Sequence, residues 1–183
     1  MARPVEAFTF EARLQRPRQP AAARWAFVRL PREASERLPR RGRTSVEGHF
    51  AGQPFRATLE PDGQLSHWLK VDPALLEAAG VVVGEVVALQ LQPAKPEPEP
   101  KLPADLRRAL AADAAARATW DATTTLARVD WIHWMTSAKQ AATRAKRVAD
   151  ACAMLAGGKR RVCCFDPSGF YSKAFAAPEA DEV

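Results

Sequence analysis

Aromatic and basic side chains follow one another between positions 131 and 147 of this 183-residue chain. Trp131, His133 and Trp134 come first, and no acidic residue lies between them and Arg147. The basic residues of the stretch are Lys139, Arg144, Lys146 and Arg147. Rings beside cations suit a nucleic-acid surface, because bases stack on the rings and phosphates pair with the cations. Tryptophans at helical spacing are equally typical of a core between helices.

The basic residues fall at a junction between two predicted helices. Apolar residues at helical spacing predict one helix over 124–138 and another over 141–156, with Lys139 between them and Arg144 and Arg147 in the first turns of the second. Cations near a helix N-terminus oppose the macrodipole, and an acidic side chain from the N-terminal half or a bound anion would relieve that conflict. We therefore predict a site for an anionic small molecule or an acidic protein surface, formed by Lys139, Thr143, Arg144 and Arg147. A solvated basic face with one internal salt bridge is the alternative.

The overall charge supports a second hypothesis. The net charge is +6 and the sequence pI is near 9.6, which favours acidic partners or nucleic acid. Between Lys139 and Arg161 the chain has seven basic residues and one acid, Asp150, so this stretch carries a charge equal to that of the whole chain. Sequence-independent nucleic-acid binding would use Lys146, Arg147, Lys159, Arg160 and Arg161. No recognition-helix motif is present, and apart from the helical tryptophans only Trp68 is placed to stack on bases.

Candidate catalytic side chains are few. Cys163 or Cys164 could act as a nucleophile with His67 or His133 as base, but neither a helix N-terminus nor a C-x-x-C spacing is present to activate a thiol. We expect an inert vicinal pair with one of its two cysteines buried. A Cys-Cys pair supplies only half of a zinc site, and no P-loop, H-E-x-x-H or G-x-G-x-x-G motif occurs. The sequence therefore predicts no metal and no cofactor, and an enzyme of unknown reaction ranks third.

His67 is the most informative histidine. It alternates with Leu65, Leu69 and Val71 in a predicted strand and should share their face. A histidine on the buried face of a sheet must find hydrogen-bond partners. We predict a satisfied core or rim histidine, with a direct contact to a ligand as the alternative.

The N-terminal half has the pattern of short strands. Phe8, Phe10, Ala12 and Leu14 alternate along the first, and Pro31 closes the second. Turn signals at Gly52-Gln53-Pro54 and at Pro61-Asp62-Gly63 predict a hairpin over 44–64, followed by a strand over 65–71. Asp72 and Pro73 begin a short helix that ends at Gly80, and 84–91 reads as the last strand. This spacing predicts a small barrel or sandwich.

The C-terminal half is predicted to be helical, after a proline-rich stretch that favours an extended spacer. Helices are expected over 103–113, 114–122, 124–138 and 141–156, and a partly docked tail follows. The predicted domains are 1–92 (small β-barrel), 93–103 (Pro-rich linker), 104–160 (helical module) and 161–183 (tail). The first residues lack the apolar run of a secretory signal. The odd cysteine count argues against a disulfide framework, so we expect a cytoplasmic protein without membrane insertion.

Two groups of motifs point to a known family. The C-terminal half has Trp134-Met135-x-x-Ala138-Lys139, then Thr143-Arg144-x-Lys146-Arg147, Met154-Leu155 and Gly158-Lys159. The N-terminal half has Val46-x-Gly48, Gly52-Gln53-Pro54-Phe55-Arg56-Ala57-Thr58-Leu59-x-Pro61-x-Gly63, His67-x-Leu69-x-Val71 and Ala79-Gly80-Val81-x-x-Gly84-Glu85-x-Val87. The first group resembles the YdeI/OmpD-associated family, also called bacteriocin-protection proteins, and the second resembles the small β domain of unknown function that often precedes it. The chain departs from the family pattern at Met135, Ala142 and Glu85, where Ile, Glu and Asp are usual.

The resemblance covers roughly residues 5 to 160 and implies a fold rather than a reaction. The expected fold is α+β: a six-stranded, double-split-type β-barrel, a Pro-rich spacer and a C-terminal helical module. The family has no firmly established reaction, so the resemblance implies a non-catalytic binding or stress-associated protein. The junction site, with His67 as a further candidate ligand contact, is the leading hypothesis.

Overall fold

A computed structural model describes residues 6–182. The protein is α+β, and its elements in chain order are β1 (Phe8–Arg13), β2 (Ala26–Arg29), α1 (Arg32–Glu36), β3 (Thr44–Phe50), β4 (Gln53–Pro61), β5 (His67–Val71), α2 (Pro73–Ala79), β6 (Val86–Pro93), α3 (Ala104–Ala112), α4 (Ala114–Asp121), α5 (Thr125–Thr136) and α6 (Ala141–Ala156). The six strands form one antiparallel sheet in the order β1-β6-β3-β4-β5-β2. The α+β class and the six strands expected from the sequence are confirmed.

The sheet is curled, and one face of its strands forms an apolar core. Every second residue of β6 is buried, and Phe8 and Ala12 of β1 point to the same core, as period-2 alternation requires. Phe50 and Gln53 pair across a two-residue turn whose Ala51 and Gly52 both have positive φ, the backbone that matches strand twist in a tight hairpin. Beyond the end of β1, the backbones of Gln15 and Phe27 exchange two hydrogen bonds of 2.9 Å, and this bridge links the two outer strands of the sheet.

Helix α1 was not expected from the sequence. It has five residues, follows Pro31 and has no side-chain N-cap, so it is too short to show helical periodicity. Its buried residues are Ala34 and Ser35, and Ala34 belongs to the core of the sheet. The helix therefore completes the β core from a segment that reads as a loop.

The four C-terminal helices match the predicted ones and bury a core of their own. Asp113 accepts from Ala116 N and caps α4, and Thr124 accepts from Ala127 N and caps α5. The largest fully buried side chains of this core are Leu106, Leu110, Trp131, Met135 and Leu155. Among the described residues, no helix combines the length and apolar composition needed to cross a bilayer.

The chain divides into two compact units. The helical unit spans Glu97–Phe165, and the β unit combines the described residues up to Pro96 with the segment that begins at Asp166. Residues 94–103 contain neither helix nor strand. The C-terminal segment returns to the β unit, where Arg18 N donates to Glu179 O at 2.8 Å and Asp181 N donates to Arg16 O at 2.9 Å.

Candidate helix-junction site

The first turn of α6 is the centre of the predicted junction site. Its N-cap is Gln140, which makes no side-chain capping hydrogen bond, and its first turn contains no acidic residue. Helices α4 and α5 of the same unit both have a side-chain cap. The first amide groups of a helix have no partner within the helix and attract anions. Helix α6 therefore presents a positive terminus without a side-chain acceptor from its cap.

Arg144 binds an acid, but from an element that we had not expected. Its Nε donates to Asp105 Oδ2 at 2.7 Å and its Nη2 donates to Asp105 Oδ1 at 3.2 Å. Asp105 lies in the first turn of α3, so the acid that pairs with Arg144 comes from the helical unit and not from the N-terminal half. The pair is the one internal salt bridge of the alternative interpretation. The hydrogen bond from Arg144 lowers the pKa of Asp105 below its usual range, and the same bond raises that of Arg144. The conflict between this cation and the α6 dipole is thereby offset.

Arg147 acts on the other helix of the junction. Its Nη1 donates to Trp134 O at 2.6 Å and to Ser137 Oγ at 3.1 Å, and its guanidinium lies 5.5 Å from the centroid of the Trp134 ring. Cations that bind the last carbonyls of a helix are stabilising, because that end of the dipole is negative. Arg147 belongs to α6, but its side chain therefore caps the C-terminal end of α5.

Lys139 and Thr143 are the other two predicted junction residues. Both are exposed, Lys139 precedes the N-cap and Thr143 is the third residue of α6. The structure thus separates the four predicted junction residues into two with internal partners, Arg144 and Arg147, and two that face solvent.

The tryptophans answer the question raised by the aromatic and basic stretch. Trp131 is 0% exposed, and its Nε1 donates to Arg160 O at 3.4 Å. It packs against Trp134 with ring centroids 6.2 Å apart and an interplanar angle of 73°. A fully buried ring cannot stack on a base, so Trp131 is a core residue. Trp134 is only partly buried, and the Arg147 guanidinium lies over it.

His67 is a buried residue of the β unit. It is 0% exposed, its Nε2 lies 3.0 Å from Gly42 O, and its Nδ1 lies 2.7 Å from Ser35 Oγ. A carbonyl oxygen only accepts, so Nε2 carries the proton and Nδ1 accepts from the Ser35 hydroxyl. Burial lowers the pKa of His67. Both ring nitrogens are used inside the protein, as predicted for a core histidine.

The second basic cluster is spread over α6 and the residues after it. Lys146 Nζ donates to Asp150 Oδ2 at 2.7 Å within the same helix, and Arg147 is bound to the end of α5. Lys159, Arg160 and Arg161 follow α6 and are all exposed. Of the five predicted nucleic-acid contacts, only these three face solvent without an ion pair or hydrogen bond made by the side chain among the described residues.

Cys163 and Cys164 are both exposed, so the expectation that one of them is buried is wrong. They lie beyond α6 and outside any helix or strand, and their sulfur atoms are 3.2 Å apart. The hydrogen bond with Cys163 raises the pKa of the Cys164 thiol, which disfavours a reactive thiolate. Within residues 6–182, no three His, Cys, Asp or Glu side chains are grouped to hold a metal ion.

One charged feature of the β unit was missed at the sequence level. Four arginines line a cleft of about 720 Å³ together with acidic residues near the C-terminus: Arg13, Arg16, Arg18 and Arg29 face Glu179, Asp181 and Glu182. In the sequence, the cleft corresponds to the arginines of residues 13–18 and to the acidic residues 179–182, two segments about 165 residues apart. No local pattern indicates that such distant segments meet.

Two protein-family models match the chain. One, described as bacteriocin-protection, YdeI or OmpD-associated, matches residues 99–158. The other, described as a domain of unknown function (DUF1905), matches residues 10–91. The first match falls within the helical unit and the second within the β unit. A comparison with curated proteins finds no match.

Proposed function

The chain belongs to the YdeI/OmpD-associated, or bacteriocin-protection, family and carries a DUF1905 domain before the family module, and on that premise we propose that it is a non-catalytic, cytoplasmic protein that binds an anionic ligand at the start of α6. The ligand group is a carboxylate or a phosphate. Its contacts are Lys139, the Thr143 hydroxyl and the first backbone amides of α6.

The observation that carries this proposal is the uncapped first turn of α6. Gln140 supplies no side-chain cap and no acidic residue lies in that turn, while Lys139 and Thr143 are exposed beside it. A helix N-terminus with a neighbouring lysine and hydroxyl has the donors and the charge that a single anion needs.

Arg144 and Arg147 support the site without occupying it. Arg144 ties α6 to α3 through Asp105, and Arg147 ties α6 to the end of α5. Their bonds fix the direction in which the first amides of α6 point. A site held by such supporting contacts loses less entropy when a ligand binds.

The test is a titration of the full chain with phosphate, in which the amide chemical shifts of residues 141–143 report binding. Gln140→Asp is the sharpest variant, because an aspartate N-cap would accept from the α6 amides and place a carboxylate where the anion binds. We expect phosphate binding to be lost while stability rises by about 1 kcal/mol.

Lys139→Ser should weaken phosphate binding about tenfold, the loss of one charge-assisted bond. Lys101→Ser, an exposed lysine of the same unit, is the matched control and should leave binding unchanged. Phosphate binding that survives Gln140→Asp at wild-type affinity would refute the site.

A second candidate function is nucleic-acid binding by the cations after α6. The observation in its favour is that Lys159, Arg160 and Arg161 are consecutive and exposed. Titration with a short labelled duplex at two salt concentrations tests it, because each neutralised phosphate steepens the salt dependence. Loss of duplex binding in Arg160→Ala/Arg161→Ala, with Lys139→Ser unaffected, would favour nucleic acid over the α6 site.

We also propose a barrel type for the sheet and a role for the proline-rich segment that follows it. The curled sheet is taken as a double-split-type barrel, with the Gln15–Phe27 bridge as its closing contact. Residues 93–103 act as the Pro-rich spacer between the barrel and the helical module. Limited proteolysis that cuts within this segment and leaves both parts folded is the expected result.

A further inference from the structure

The acidic C-terminal segment pairs with residues 16–18 of the β unit as an added strand and forms one wall of the arginine-lined cleft. Pro17 and Ala180 form an antiparallel bridge. On one side of it Arg18 N donates to Glu179 O at 2.8 Å, and on the other Asp181 N donates to Arg16 O at 2.9 Å. These two bonds flank the bridge as the ladder of an antiparallel pair does.

Charge complements the backbone pairing. Arg18 Nη1 lies 3.6 Å from Glu179 Oε2, and Arg29 Nη2 donates to Pro178 O at 2.8 Å. The cleft is lined by Arg13, Arg16, Arg18 and Arg29, and the segment brings Glu179, Asp181 and Glu182. The segment is therefore held through its backbone, and the carboxylate of Glu179 lies beside an arginine.

The ion pair of the segment is exposed to solvent. The Arg18 and Glu179 side chains are 67% and 81% exposed, and exposed ion pairs contribute little to stability because water and salt screen them. A cleft of about 720 Å³ remains beside the segment. A competing strand therefore has to replace backbone hydrogen bonds, but it loses little by breaking the exposed ion pair.

The segment is also tethered close to the cleft. Phe175 approaches Gly63 so closely that a Cβ atom at Gly63 would collide with the Phe175 carbonyl oxygen. Residues 178–182 follow this anchor by three to seven positions, so their effective concentration at the cleft is high, on the order of millimolar for a short tether.

From this geometry we propose that the edge of residues 16–18, with the arginines beside it, is a binding site for an extended acidic peptide of a partner protein, and that residues 178–182 are its intramolecular occupant. Such a partner adds a strand to residues 16–18 and places its carboxylates among the arginines, which is β-strand addition. The chain's own segment competes with that partner. This site is separate from the α6 site and does not rest on it.

The test uses an N-terminally labelled peptide with the sequence of residues 176–182, AAPEADE, titrated into the full chain. The variant Glu179→Gln/Asp181→Asn/Glu182→Gln keeps the length of the segment but removes its charge. We expect it to bind the peptide about tenfold more tightly than wild type, because a site occupied by its own chain lowers the apparent affinity by the unoccupied fraction. Glu33→Gln/Glu77→Gln, two exposed acids elsewhere in the β unit, should bind as wild type does.

Two controls separate backbone pairing from charge. A peptide that is N-methylated at the position of Asp181 keeps every charge but lacks the N–H that donates to Arg16 O, and it should bind at least tenfold more weakly. Arg16→Gln/Arg18→Gln preserves the backbone of residues 16–18 and should also weaken binding. Equal affinity of the methylated and unmethylated peptides would overturn the proposal, and so would wild-type affinity in the segment variant.

Hydrogen exchange of the unaltered protein gives a readout that needs no variant. With saturating unlabelled peptide, the Asp181 amide should lose protection because the segment has left, while the Arg18 amide stays protected by the incoming strand. An eight-nucleotide oligothymidylate serves as the polyanion arm. If it binds more tightly than the peptide and exposes both amides, the cleft takes nucleic acid and the peptide proposal fails.

Discussion

Arg144 near the start of α6 binds both carboxylate oxygens of Asp105 near the start of α3, at 2.7 and 3.2 Å. The two residues are 39 positions apart, and each lies in the positive first turns of its own helix. The carboxylate is favourable to both dipoles and the guanidinium to neither. Asp105 thus compensates an arginine that α6 alone would disfavour.

Arg144→Ala should lower the free energy of unfolding of the helical unit by about 1 kcal/mol, because the pair is bidentate but about a third exposed. A double-mutant cycle with Asp105→Ala, followed by urea unfolding, measures the coupling between them. Lys146→Ala, which breaks an exposed pair within α6, is the control and should cost less. A coupling energy of zero would show that the two side chains do not interact in solution.

Trp131→Ala should cost about 3–5 kcal/mol, as for other large truncations in a packed core, because Trp131 is 0% exposed. Leu126→Ala on the same helix removes a side chain that is 41% exposed. It should change the free energy of unfolding by about 0.5 kcal/mol, as is usual for a surface substitution. Thermal unfolding followed by circular dichroism compares the two. Similar midpoints for both variants would contradict the core assignment.

His67 makes the β unit sensitive to acid. Its pKa is lowered by burial, so below the ordinary histidine pKa of about 6.5 the unfolded chain binds a proton that the folded one does not. The stability contribution is therefore fully present above that pH and is lost as the pH falls toward the lowered pKa of the folded state.

His67→Gln should remove this part of the pH dependence, whereas His49→Gln, at an exposed histidine of β3, should retain it. Urea unfolding at pH 7.5, 6.5 and 5.5 provides the comparison, with these values chosen around the reference pKa of about 6.5. Parallel pH profiles for wild type and His67→Gln would contradict the burial argument.

Gly63→Ala should destabilise the docked C-terminal segment. Gly63 has φ +72° and faces the Phe175 carbonyl, so an alanine adds both backbone strain and a collision. Gly80→Ala is the matched control, because Gly80 has φ +65° but no atom lies near the position of an added Cβ. This variant should lose only about 1 kcal/mol of stability, from backbone strain. Faster exchange of the Asp181 amide in the first variant alone is the expected result.

The sequence predicts elements wherever a local period or cap marks them. The alternation of residues 8–14 and the N-cap Asp72 led to β1 and α2, which the structure contains. The burial of His67 followed from its neighbours in the strand, but its partner Ser35 did not, because α1 is too short to show a period.

Long-range pairing accounts for what the sequence did not predict. The contradiction between Arg144 and its helix dipole indicated that an acid or anion was needed, yet nothing local distinguishes Asp105 from the other acids of the chain. The exposure of both Cys163 and Cys164 depends on what covers residues after α6, which composition does not encode. The pairing of 16–18 with 179–181 joins two segments that are far apart in the sequence and leaves no periodic signal.

Because the C-terminal segment returns to the β unit, the two units cannot be completed in the order in which their first residues are synthesised. A ribosome releases residues from the N-terminus onward, and domains generally fold as their chains emerge. The helical unit, Glu97–Phe165, is fully synthesised before the segment that begins at Asp166, so it can fold while the β unit, begun first, still lacks its last piece. During that interval the arginines of residues 13–18 are exposed to whatever acidic chains the nascent protein meets.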